Sequence, residues 1–64
     1  MTAIYETDPD VAFAKAMIPH HKGAVNMAKV QLEYGKDKAM QDLAKQIINA
    51  QEPEIKLMED WLKQ

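Results

Sequence analysis

Apolar and polar positions alternate along this chain with a helical period and no trace of a strand period. Between residue 8 and Tyr34, Val11, Ala14, Ile18, His21, Val25, Ala28 and Leu32 follow one another in steps of three and four. Such spacing keeps one stripe of a helix facing a partner through three heptads. A second row, Phe13, Met17, His20, Ala24 and Met27, runs beside the first and widens the apolar face beyond a coiled-coil seam. Lys15, Lys22, Asn26, Lys29 and Glu33 stand opposite. Both histidines are therefore expected on the buried side. From Asp37 onward the spacing recurs at Met40, Leu43, Ala44, Ile47, Ile48, Gln51, Ile55, Met58 and Leu62, with Lys and Glu mostly outside.

Local signals divide these two stretches. Thr7-Asp8-Pro9-Asp10 offers a capping box between Thr7 and Asp10, or an Asp8 cap with Pro9 as the first helical residue. Gly35-Lys36-Asp37 reads as a helix C′ glycine, a turn and a new N-cap. The expectation is one all-α domain over residues 1–64, with a helix at about 8–34, a turn at 35–37 and a helix at about 38–63. A three-residue connection makes the helices antiparallel neighbours. Two helices bury too little apolar surface to be stable alone. Two hairpins are thus expected to pair, most simply about a two-fold axis, into a four-helix bundle. Pro19 and Pro53 fall inside the helical pattern, where each removes a backbone hydrogen bond at a cost of roughly 3 kcal/mol. A kink at Pro19 would re-aim His20 and His21 or admit water to them, unless packing merely tolerates it.

Composition narrows the function. The formal charge is −2, and all eight cations are Lys. Without Arg the chain lacks the forked donor usual in phosphate and base-edge recognition, so no nucleic-acid partner is expected. There is no Cys and no Ser. Thiolate zinc sites, thiol catalysis and a Ser-His-Asp apparatus are thereby excluded. No stretch of 18 apolar residues offers a membrane span, and the first residues do not read as a signal peptide.

The remaining chemistry is concentrated in Met17-Ile18-Pro19-His20-His21. On a helix Met17 stands one turn before both His20 and His21, so a thioether and two imidazoles share a face. That donor set suits Cu(I) or Ag(I) and is poorly matched to Mg²⁺ or Ca²⁺. Folding the hairpin about Lys36 sets residue i near residue 72 − i, bringing Gln51, Glu52, Glu54, Ile55 and Met58 toward this segment. Glu54 is a candidate ligand or a carboxylate that orients an imidazole, and Met58 and Met27 are candidate thioether donors. Met40, near the turn, reads as core. Ferritin-like bundles build di-iron sites from Glu-x-x-His pairs, but here Met17 occupies the glutamate position. Binding of a reduced soft ion is expected rather than catalysis, and no nucleophile or anion-binding loop accompanies the histidines.

Residues 16–28, Ala-Met-Ile-Pro-His-His-Lys-Gly-Ala-Val-Asn-Met-Ala, and residues 50–62, Ala-Gln-Glu-Pro-Glu-Ile-Lys-Leu-Met-Glu-Asp-Trp-Leu, resemble the bacterial family of the domain of unknown function 305. The resemblance extends from Asp10 to Leu62. It implies a ferritin-like helical bundle, frequently exported, which favours a periplasmic location. It also implies copper or silver binding and tolerance, with the motif falling on Met17, His20, His21 and Met27 and on Gln51, Glu54 and Met58. The resulting expectation is a copper-binding module, with Cu(I) favoured over Ag(I) or Cu(II), that buffers, transfers or confers tolerance to metal. It would act as a homodimer or higher oligomer, with a copper-handling protein as a further partner. The competing expectation is a dimerising structural or interaction module whose Met and His residues fill a core, with Trp61 anchoring the helix end.

Overall fold

A computed structural model describes residues 8–64 as two helices, α1 (Pro9–Tyr34) and α2 (Lys38–Leu62), joined by a three-residue turn. The chain is the expected antiparallel all-α hairpin. Asp8 caps α1 through its carboxylate, which accepts from the Asp10 N–H at 2.8 Å, and Pro9 occupies the first turn where its missing N–H costs nothing. The alternative box anchored on Thr7 lies outside the described residues. Asp37 caps α2 in the same manner, accepting from the Met40 N–H at 3.0 Å. Among the described residues both prolines sit within unbroken helix.

Gly35 ends α1, but not by the left-handed route expected of a C′ glycine. Its φ is −74° with extended ψ, and no described residue has positive φ. The reason for glycine here is space. Its N–H donates to the Gln31 carbonyl at 2.7 Å, and a Cβ at this position would lie 2.5 Å from that same oxygen and collide with the Gln31 side chain. The Gln41 amide donates to the Gly35 carbonyl at 2.7 Å and ties the turn to α2.

The helices meet along the predicted seam. Ala14, Val25 and Ala28 are buried from α1, Ala44 and Met58 from α2, and Val11, Ile18, His21, Leu32, Ile48, Gln51, Ile55 and Leu62 are half-buried beside them. Three of the five buried residues are alanine, and small side chains allow close approach of the two backbones. Ala14 and Met58 line one pocket, and Ala28 and Ala44 another. Facing residues thus carry numbers that add to 72, which is the expected register.

The second row departs from expectation. Phe13 (63%) and Met27 (76%) are largely exposed, as are Met40 (49%) and Leu43 (46%) on α2. His20 is exposed, while His21 is half-buried. The expectation that both histidines face inward is corrected because a single neighbouring helix can cover only one stripe. Met40, read as core, is corrected for the same reason. On the far side, Lys22–Glu59 (3.0 Å) and Lys29–Glu52 (3.9 Å) pair across the helices, exposed to water and therefore worth little.

The two glycines should respond oppositely to alanine. Gly35→Ala should destabilise the fold by about 1–3 kcal/mol through overpacking. At Gly23 a Cβ meets nothing within 4 Å, so Gly23→Ala should stabilise by roughly 0.5–1 kcal/mol through helix propensity. Urea denaturation of the two variants beside the parent chain measures both.

Candidate metal centre

Consecutive residues on a helix point about 100° apart, and this separates the two histidines. His21 belongs to the seam, with its side chain only 12% exposed, and His20 belongs to the open row. Their ring centroids lie 6.5 Å apart, with ring planes at 60°. With metal–nitrogen bonds of roughly 2.0–2.1 Å, that separation is the upper limit for two imidazoles on one ion. Such a pair would bind in a nearly linear arrangement. Met17, one turn earlier, is half-buried between the two rows.

From α2, Glu54 reaches across the interface to His21, with Oε1 2.6 Å from Nε2. A carboxylate only accepts, so the proton of this bond belongs on His21 Nε2. A neutral imidazole held in that tautomer carries a bare lone pair on Nδ1. This Nδ1 is buried and has no hydrogen-bond partner, and the same holds for Gln51 Oε1. By the register of the seam, Gln51 stands level with His21. Two lone pairs buried at one level without a donor make a place suited to a cation or a water molecule.

The thioethers are distributed along the hairpin. Met58 is buried one turn beyond Glu54, in the pocket with Phe13, Ala14, Leu57 and Trp61 at the open end. Met27 lines the pocket near the turn with Ala24, Met40 and Leu43, about 10 Å along the helix axis from His20. The hairpin therefore brings His21 and Glu54 into contact, leaves Met17 and His20 close by, and holds Met27 apart. Among the described residues no three His, Asp or Glu side chains converge as a metal-holding group. A complete coordination shell here has to draw on thioethers, on Gln51 or on a second chain. Elsewhere in α2, the Lys56 ammonium donates to Asp60 at 2.8 Å, which raises the Lys56 pKa and lowers that of Asp60.

The family model described as "Domain of unknown function (DUF305)" matches residues 1–64. The chain belongs to this family. No curated protein matches it. In this DUF305 chain the family match covers the entire hairpin, so the His-Met segment and its α2 counterpart lie within one family unit. Among the described residues, no helix is long and apolar enough to cross a membrane.

Sequence reading missed two features. One is the unpartnered amide oxygen of Gln51, signalled by a polar residue in an otherwise apolar seam. The other is that Met40, Leu43 and Ile47, grouped above with the α2 seam, continue through Ala50, Glu54, Leu57 and Trp61 as a separate row offset by one position from it. Its regular spacing was available, but Glu54 within it disguised its apolar character.

A buried acceptor with no donor costs about 1–3 kcal/mol, and its removal relieves that cost. Gln51→Leu should therefore leave metal-free stability unchanged or raise it by about 1 kcal/mol. Urea denaturation tests this, and a loss above 1 kcal/mol would mean that the amide is hydrogen-bonded in solution.

Proposed function

We propose that this hairpin is a soft-metal binding module that holds copper as Cu(I), with Ag(I) or Cu(II) as alternatives, for buffering, transfer or tolerance. His21 ligates through Nδ1, Met17 and His20 supply the neighbouring thioether and imidazole, and Glu54 fixes the His21 ring through Nε2–H. The observation that carries this reading is the buried, unpartnered His21 Nδ1 on a ring already held by a carboxylate. An imidazole with one nitrogen tied to a carboxylate and the other bare is the arrangement that metal-ligating histidines adopt. Met17, half-buried beside it, supplies a soft donor on the same face. Met58 is a supplementary donor, and Met27, held apart near the turn, contributes little. The module acts as a homodimer or higher oligomer and exchanges metal with a copper-handling protein, without catalysing a reaction of its own.

Titration of the purified protein with Cu(I) against a chromophoric chelator should show competition that His20→Ala with His21→Ala abolishes. Met17→Leu should weaken binding more than Met58→Leu, and Met27→Leu should leave it nearly unchanged. Glu54→Gln should lower affinity by roughly 10–100-fold, the usual effect of losing a partner that orients a ligand. Imidazole ligates only when neutral, so binding should weaken as falling pH places protons on the ligating nitrogens. At a free Cu(I) concentration 100 times Kd, stabilisation of about 2.7 kcal/mol should raise the melting temperature by about 10–20 °C. No shift with Cu(I) or Ag(I), together with no competition, would favour the rival reading of a purely structural dimerising module.

A further inference from the structure

The hairpin measures 46 × 22 × 14 Å. Its thinnest dimension is little more than one helix with its side chains, about 10–12 Å, so the molecule is a single layer. One side of that layer carries the cross-helix ion pairs. The other carries the second rows of both helices: Phe13, Met17, His20, Ala24, Met27, Gln31 and Tyr34 on α1, and Met40 to Trp61 in the same three-and-four spacing on α2. Phe13, Met27, Tyr34, Met40, Leu43, Leu57 and Trp61 are between 42% and 76% exposed. They present on the order of 800 Å² of apolar surface, given side chains of roughly 150–250 Å². That is the area each partner contributes to a stable interface.

We propose that this face is covered by a second copy of the chain, in a two-fold dimer with like ends together, and that the metal site is completed across it. The proposal deepens the metal-binding reading by naming what closes the site. The face has a layout that decides the orientation. Bulky residues occupy both ends, and at its middle Ala24 and Ala50, like the titratable pair His20 and Glu54, lie within about 3 Å of one another along the axis. With the two-fold axis parallel to the helices, α1 of each copy lies on α2 of the other. His20 then faces Glu54 of the partner subunit, and one polar layer holds both His20–Glu54 pairs with Met17 beside them. With the axis perpendicular and the faces fully overlapped, α1 lies on α1 and α2 on α2. The Glu54 carboxylate, bonded through one oxygen to His21 of its own hairpin, then has its other oxygen buried against Leu43 and Ile47 of the partner subunit with no donor facing it. Only the first arrangement covers all the apolar residues while keeping the polar ones together. It also brings four imidazoles and two Met17 thioethers to one level, answering the lack of three convergent His, Asp or Glu groups in a single described hairpin.

Sedimentation velocity of metal-free protein should give a dimer, twice the 7.3 kDa chain mass. Met27→Glu with Leu57→Glu alters side chains exposed in the hairpin and should weaken that dimer at least 100-fold. Because the chain has no cysteine, orientation can be read without relying on that variant. Single Ala24→Cys and Ala50→Cys proteins should each stay uncrosslinked on mild oxidation, whereas their mixture should form a disulfide-linked heterodimer. A monomer at hundreds of micromolar would overturn the proposal, and ready self-crosslinking of Ala24→Cys without heterodimer formation would overturn the orientation. Cu(I) titration of the disulfide-linked dimer separates the two readings. A linked dimer that binds no Cu(I) overturns the metal-binding reading and the shared site but leaves the interface standing. A native monomer that binds Cu(I) does the reverse.

Discussion

Two helices side by side can each hide one stripe from water, and this chain carries two stripes on each helix. The inner pair of stripes is satisfied within the hairpin. Ala14, Ala28 and Ala44 let the backbones approach closely, and Val25 and Met58 fill what remains. No side chain is more than 98% buried among the described residues. A seam this shallow offers little hydrophobic stabilisation, because the benefit scales with the apolar area withdrawn from water. The outer stripes stay in solvent within one hairpin, and the separation of His20 from His21 follows directly. Adjacent residues on a helix point about 100° apart, so only one of the two histidines faces the neighbouring helix squarely.

The same constraint gives the candidate centre its character. His21 sits where a polar group is expensive to bury, and its environment supplies one partner out of the two that an imidazole can use. Glu54 takes Nε2, and nothing takes Nδ1. Gln51 repeats the pattern on α2 with its amide oxygen. An apolar seam with leucine at both positions would pack without these penalties. Their presence in the middle of the hairpin is the physical ground for assigning the region a ligand. His20 and Met17, one step outward, offer further donors toward the face that remains open.

Both prolines precede this level of the hairpin, Pro19 immediately before His20 and Pro53 immediately before Glu54. Each removes a backbone donor, yet both helices continue through them. In each case the proline lies on the exposed surface, so its ring does not disturb the seam between the helices.

The hairpin itself was legible in the sequence. The seam from Val11 to Leu32, the Asp8 and Asp37 caps and the break at Gly35 are local signals, and local chemistry acts at the range of a few residues that a sequence displays. The register was legible too, because a three-residue turn fixes which residues of the two helices stand level. What sequence periodicity could not assign was that the second apolar row stays outside the seam, since both rows have helical spacing and differ by one position. That was decided by packing. The alanines of one row permit close contact, and Phe13 and Met27 of the other do not fit there. Packing likewise decided that Gly35 serves a tight approach to Gln31 rather than a left-handed turn, and that Glu54 reaches His21 while Met27 stays apart. The sequence determined the helices and the donors they carry. The tertiary structure decided which donors meet, because contact between helices depends on side-chain volume and direction rather than on spacing alone.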